Sequence, residues 1–160
     1  MIPDKESITV EFKSDRGRLS DKELLATVVS LANTEGGEVY LGVEDDGTPT
    51  GLHPEHRDVT SLAAFIANRT NPSIQVRVEL IEIRQIVIAK ISVPKTRHLV
   101  ATSEGLLQRR RLKADGTLKL SLFIHMSSSS GKPLLVFWIT QLLRSAMPPL
   151  MILTPLSDKG

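Results

Sequence analysis

Ala-Asn-Thr-Glu-Gly-Gly-Glu-Val-Tyr-Leu-Gly-Val-Glu-Asp-Asp-Gly-Thr-Pro-Thr-Gly, residues 32–51, is the stretch whose reading decides the fold. A helical pattern ends at Asn33-Thr34, and Gly36-Gly37 gives the backbone the freedom for a sharp reversal. Val39, Leu41 and Val43 then alternate as in a strand with one buried face. Asp46-Gly47 ends that strand in a tight turn, the strongest short-range hairpin signal. The tip carries Glu44, Asp45 and Asp46 in a row, and a charge run of this kind is ordinarily a solvated surface.

Upstream, Ile8, Val10 and Phe12 alternate with Thr9, Glu11 and Lys13 and predict a first strand. Asp15-Arg16-Gly17-Arg18 reads as a polar loop. Ser20 with Glu23 forms a capping box that opens a helix, whose apolar face is Leu24, Leu25, Val28, Leu31 and Ala32. One helix between two strands is the connection of a parallel pair.

Downstream, residues 52–57 read as a polar loop, with His53 and His56 on the surface. Asp58 caps a second helix through about Asn68, buried along Val59, Leu62, Ala63 and Ile66. Residues 74–83 and 86–93 form two strands joined at Arg84-Gln85, a hairpin without the usual glycine. A further strand runs from Leu106 to Leu112.

Composition limits the function classes. The chain has 160 residues, 41% hydrophobic, enough for one domain with a buried core. It has no cysteine, which excludes a disulfide scaffold, a thiolate metal site and a cysteine nucleophile. Neither an apolar signal region nor a run long enough to span a bilayer is present, so the expected location is cytoplasmic, with no membrane partner. The net charge of +2 hides an asymmetry: residues 1–83 hold 8 Lys+Arg against 15 Asp+Glu, residues 84–160 hold 12 against 3. An acidic site and a basic surface on one body are expected.

The candidate basic contacts are Lys95, Arg97, Arg109, Arg110, Arg111 and Lys113. On a strand, Arg109 and Arg111 share one face and Arg110 takes the other. Guanidinium forks suit phosphates, and an aromatic content of 4% provides little base stacking, so contacts would be to the nucleic-acid backbone. The candidate acidic cluster is Glu6, Glu11, Glu44 and Asp45; hard oxygen donors of this type hold magnesium or manganese in two-metal nucleases. The same groups also read as solvated or lysine-paired surface. Gly131-Lys132 lacks the GxxxxGK[ST] pattern, since Pro133 follows, so no Walker A loop for ATP is present. The glycines at 36, 37, 42, 47 and 51 do not make a dinucleotide fingerprint.

Residues 6–13 (Glu6-Ser7 through Glu11-Phe12-Lys13), 31–37 (Leu-Ala-Asn-Thr-Glu-Gly-Gly), 41–47 (Leu-Gly-Val-Glu-Asp-Asp-Gly) and Gly51-Leu52 together resemble the Schlafen AlbA-like domain, over about residues 5 to 115. That module is also described as divergent AAA and as the N-terminal part of RecG-related transcriptional regulators. The resemblance implies an α+β fold, a mixed β-sheet flanked by helices, and binding of DNA or RNA. In animal Schlafens the module can be a metal-dependent endoribonuclease with three carboxylates. Glu6 and Glu11 match the spacing of two of them, and Glu44 or Asp45 stands where the third is expected. The animal nuclease joins two such lobes, and here a homodimer would supply the second. The leading reading is thus the nucleic-acid-binding domain of a transcriptional regulator; a metal-dependent nuclease and a structural dimerisation module are the alternatives.

The resemblance assigns residues 1–118 to this domain and leaves 119–160 as a tail unlike the family. Phe123-Ile124-His125-Met126-Ser127 can be encoded so that a two-base shift yields Tyr-Pro-His-Glu, followed by the polar run expected there. The tail is therefore expected to be a frame-shifted reading, with a genuine helix at 134–145 after a serine linker as the alternative. Sequencing the gene checks this: a Tyr-Pro-His-Glu reading in the alternative phase supports it, and its absence with an intact frame rules it out.

Overall fold

The computed structural model describes residues 1–116 and, for 118–125, the backbone alone. The frame question and the helix expected at 134–145 concern residues mostly or wholly outside these. Strand β1 is Val10–Lys13 and β2 is Gly37–Leu41, and the helix α1, Asp21–Ala32, connects them. The two strands pair in parallel, with Glu11 opposite Val39 and Lys13 opposite Leu41. Helix α2 spans Val59–Asn68, followed by β3 (Thr70–Asn71), β4 (Arg77–Ile83), β5 (Ile86–Val93), β6 (Ala101–Thr102), β7 (Leu106–Leu112) and β8 (Leu118–His125). The main sheet has the order β1-β2-β5-β4, and β5 is antiparallel to both neighbours. Two small antiparallel pairs, β3–β6 and β7–β8, complete this mixed, α+β architecture.

The caps form as the sequence predicts. The Ser20 hydroxyl accepts from Glu23 N at 3.2 Å, and the Asp58 carboxylate accepts from Thr60 N and Ser61 N. The helices bury their apolar stripes on one face of the sheet, where Leu24, Val28 and Leu31 of α1 and Leu62 and Ile66 of α2 meet Val39, Leu41, Ala89 and Ile91. The opposite face holds a smaller cluster, Phe12, Tyr40, Val43 and Ile88, with Ile2 of the N-terminal segment packed on it. On that face the Tyr40 hydroxyl donates to Glu38 at 2.7 Å, and Lys90 pairs with Glu38 from β5.

Some local expectations are modified. Strand β1 begins at Val10, not Ile8, because Ser7 and Val10 exchange backbone hydrogen bonds of 3.0 and 3.3 Å that fold the lead-in back. The Asp46-Gly47 turn forms, with Gly47 N on Glu44 O at 2.9 Å, but the chain returns only through a bridge between Val43 and Pro49. Arg84 and Gln85 turn the β4–β5 hairpin with φ of 49° and 69°, the left-handed values that a primed two-residue turn demands.

Gly37 is the tightest point. Its φ is 144°, and a Cβ there would land on the Thr9 carbonyl, which instead accepts from Glu38 N at 2.8 Å. Gly37→Ala is expected to cost about 2–4 kcal/mol from backbone strain and overpacking. Gly17→Ala, with nothing within 4 Å of the added carbon, is the control that stays near neutral. Urea denaturation of both variants checks this, and equal midpoints would contradict the close approach.

Candidate nucleic-acid interface

The end of α1 organises the surface that carries the basic residues. Asn33 caps the helix, and its buried amide faces two other segments at once. Its Nδ2 donates to Val100 O at 2.8 Å and Gln108 O at 3.0 Å, while its Oδ1 accepts from Val100 N at 2.8 Å. Thr34 donates through Oγ1 to Ser30 O at 2.7 Å and accepts from Arg110 N at 2.9 Å. Thr96 adds a backbone and a hydroxyl hydrogen bond to Ala32 O. The turn after β5 and strand β7 are therefore both fastened to residues 32–34, which brings two basic stretches distant in sequence side by side.

Glu35 marks where they meet. Lys95 Nζ lies 2.8 Å from its carboxylate, and that hydrogen bond, with the charges of Lys95 and Arg109, holds the Glu35 carboxyl below the usual carboxylate range. Lys95, Arg97, Arg111 and Lys113 are exposed, and Arg109 is half-buried. Arg110 differs from its neighbours. It is 4% exposed; Nη1 donates to Ser7 O at 3.0 Å and Ile8 O at 3.1 Å, and Nη2 pairs with Glu11. Expected among the phosphate contacts, it lies inside instead, because strand alternation turns it toward the β1 lead-in.

The candidate acidic residues are not gathered. Glu6 folds back and accepts from Phe12 N at 2.9 Å. Glu11 faces Lys13 at 3.1 Å as well as Arg110. Glu44 accepts from Ser14 Oγ at 2.9 Å and Thr50 Oγ1 at 2.6 Å, with Arg16 at 3.4 Å, and these hold its carboxyl below the ordinary range. Asp45 is exposed beside it. Glu44 touches Ser14, three residues beyond Glu11, a separation of about 10 Å along an extended chain. Among the described residues no three acidic, histidine or cysteine side chains come together as metal ligands. Carboxylates already engaged by arginine, lysine and backbone N–H groups do not fit a magnesium or manganese centre in this arrangement.

The arrangement is that of an α+β domain with a clamped basic strand beside a helix-end corner. The chain belongs to the Schlafen AlbA_2 family, whose model matches residues 6–117. No curated protein matches it. Among solved structures it is similar to the DIP2311 protein of Corynebacterium diphtheriae, at 21% identity and a TM-score of 0.56 over 71% of this chain and 25% of that one. The chain thus spans about a quarter of that protein's length. It is also similar to the N-terminal domain of a RecG-related protein of Nitrosomonas europaea, at 22% identity and a TM-score of 0.50 over 80% of this chain and 84% of that one. These likenesses concern the fold. Among the described residues no helix is long and apolar enough to cross a membrane.

One cluster lay hidden in residues that read as polar loops. Asp15 is fully buried and accepts from Leu19 N at 2.8 Å, His53 N at 2.8 Å and the His56 ring at 2.9 Å. His56, expected on the surface, is buried in a short 3₁₀ turn, Pro54–His56. Burial of Leu52 and Leu19 on either side draws both loops inward, and Asp15 satisfies the donors that this buries. Nothing local in the sequence couples residue 15 to residue 56; the signal would be a carboxylate and a histidine each next to an apolar anchor. Asp15→Ala leaves those donors unmet and is expected to cost about 3 kcal/mol or more. Chemical denaturation measures this, and a loss under about 1 kcal/mol would show the cluster to be dispensable.

Proposed function

We propose that this domain binds nucleic acid through its phosphate backbone, using Lys95 and Arg97 of the turn after β5, Arg109 and Arg111 of β7, and Lys113 beyond it. The observation that carries this reading is the fastening of the turn after β5 and of β7 to the same residues, 32–34, which brings two sequence-distant basic stretches side by side. Membership of the Schlafen AlbA_2 family supports nucleic-acid association, and the solved RecG-related neighbour accords with a place in a nucleic-acid-handling protein. A strand edge of guanidinium groups, with Phe12 and Tyr40 buried in the core, favours phosphate contact over base stacking. Within this reading the domain acts in a transcriptional regulator, and a homodimer doubles the basic surface along the nucleic acid. The metal-dependent nuclease is the weaker reading, since Glu6, Glu11 and Glu44 are each engaged by protein partners.

The test uses the purified protein with single- and double-stranded DNA and RNA, with and without manganese. Mobility shifts without cleavage are expected, and Arg109→Ala/Arg111→Ala should weaken binding similarly across sequences. The slope of log affinity against log salt should fall by roughly one unit for each phosphate that the variant no longer neutralises. An unchanged slope removes β7 from the interface. Manganese-dependent cutting would establish the nuclease reading instead.

A further inference from the structure

Arg110 stands between two outward-facing arginines yet is itself buried. Its backbone N–H is taken by Thr34 Oγ1 at 2.9 Å, which fixes this residue of β7 against the end of α1. Its side chain runs the other way, into the folded lead-in before β1. There the fork meets the Ser7 and Ile8 carbonyls at 3.0 and 3.1 Å and the Glu11 carboxylate. Glu6 adds its charge nearby and opposes the tendency of burial to drive the proton off the guanidinium. One residue thus ties three pieces of chain together, and a planar fork is suited to that where a lysine ammonium is not.

We propose that Arg110 is a positioning residue of the phosphate-binding strand: its fork, anchored on Ser7, Ile8 and Glu11, locks β7 in the register that presents Arg109 and Arg111 outward. The inference rests on the phosphate-binding reading above and adds that the acidic lead-in holds the basic strand in place. A strand fastened at both its backbone and its side chain at residue 110 cannot slip by one residue, a shift that would turn Arg109 and Arg111 inward. The guanidinium also gives the Ile8 carbonyl a partner and adds a second donor to the Ser7 carbonyl, which already accepts from Val10 N.

The experiment measures affinity for a short random-sequence duplex DNA and amide hydrogen exchange at residues 109–111, in the full chain. Arg110→Met, which keeps an unbranched apolar stem and removes the fork, is expected to speed exchange at 109–111 by about tenfold or more while β5 amides keep their protection. It should also weaken duplex binding. In the Arg109→Ala/Arg111→Ala background it should add no further loss, because a residue acting through its neighbours has nothing left to position. A further, additive loss would show Arg110 touching phosphate and overturn the proposal. Glu11→Gln is the second variant and keeps the test decisive where Arg110→Met does not fold. It makes the protein more positive, so a purely electrostatic interface would bind tighter; positioning predicts weaker binding and faster exchange at 109–111. Tighter binding with unchanged exchange overturns the proposal. If Arg109→Ala/Arg111→Ala leaves binding intact, the phosphate reading fails, and exchange in the Arg110 and Glu11 variants still decides whether the lead-in locks β7.

Discussion

The amide of Asn33 is the contact on which most of the described structure leans. It sits at a helix end, where backbone carbonyls lack intrahelical partners, yet its side chain serves other segments. A primary amide carries donors and an acceptor on one planar group, so it can engage both the N–H and the C=O of Val100 and still reach Gln108. An aspartate in that place would present acceptors only and repel the two carbonyls. Thr34 extends the clamp by one residue, and the two glycines that follow let β2 leave beneath it without collision. The short motif at 33–37 is thus a junction for a helix, a core strand and two later segments, each arriving from a different part of the chain.

That junction explains how one small body keeps acidic and basic stretches together. The first half is rich in carboxylates and the second in guanidinium and ammonium groups. Folding sets them against each other where they can pair: Glu35 with Lys95, Glu38 with Lys90, Glu11 with Arg110. The exposed pairs contribute little individually, whereas the Glu11–Arg110 pair is strongly context-bound, since losing Glu11 takes the paired carboxylate from a guanidinium held away from water. Net basicity at the β7 surface is what remains after this internal neutralisation.

Elements governed by local chemistry were legible in the sequence. Both helix starts followed from Ser20 and Asp58, the parallel β1–β2 pair from a single intervening helix, and the β4–β5 hairpin from its flanking alternation. What stayed illegible depends on contacts far apart along the chain. Asp15 and His56 looked like loop polarity because their burial is imposed by leucines that neither residue reveals. The lead-in before Val10 looked like strand because alternation cannot register a chain that doubles back on itself. For the arginine run, alternation correctly separated residue 110 from its neighbours, but only the packed structure shows that the separated face is an interior one.

The folded-back lead-in gives the main sheet two unlike borders. Along the outer side of β1, the N–H groups of Val10 and Phe12 are already occupied, by the Ser7 carbonyl and the Glu6 carboxylate. An incoming strand finds no donors there, so this border is sealed chemically by the molecule's own chain. The far border, β4, is guarded in another manner, by Arg77 and Glu79 paired at 2.8 Å and by Glu82 along its length. Charge repels neighbours only as far as salt allows, whereas an occupied hydrogen bond excludes them at any ionic strength. Among the described residues, solution conditions that screen charge therefore act on the β4 border and leave the β1 border as it is.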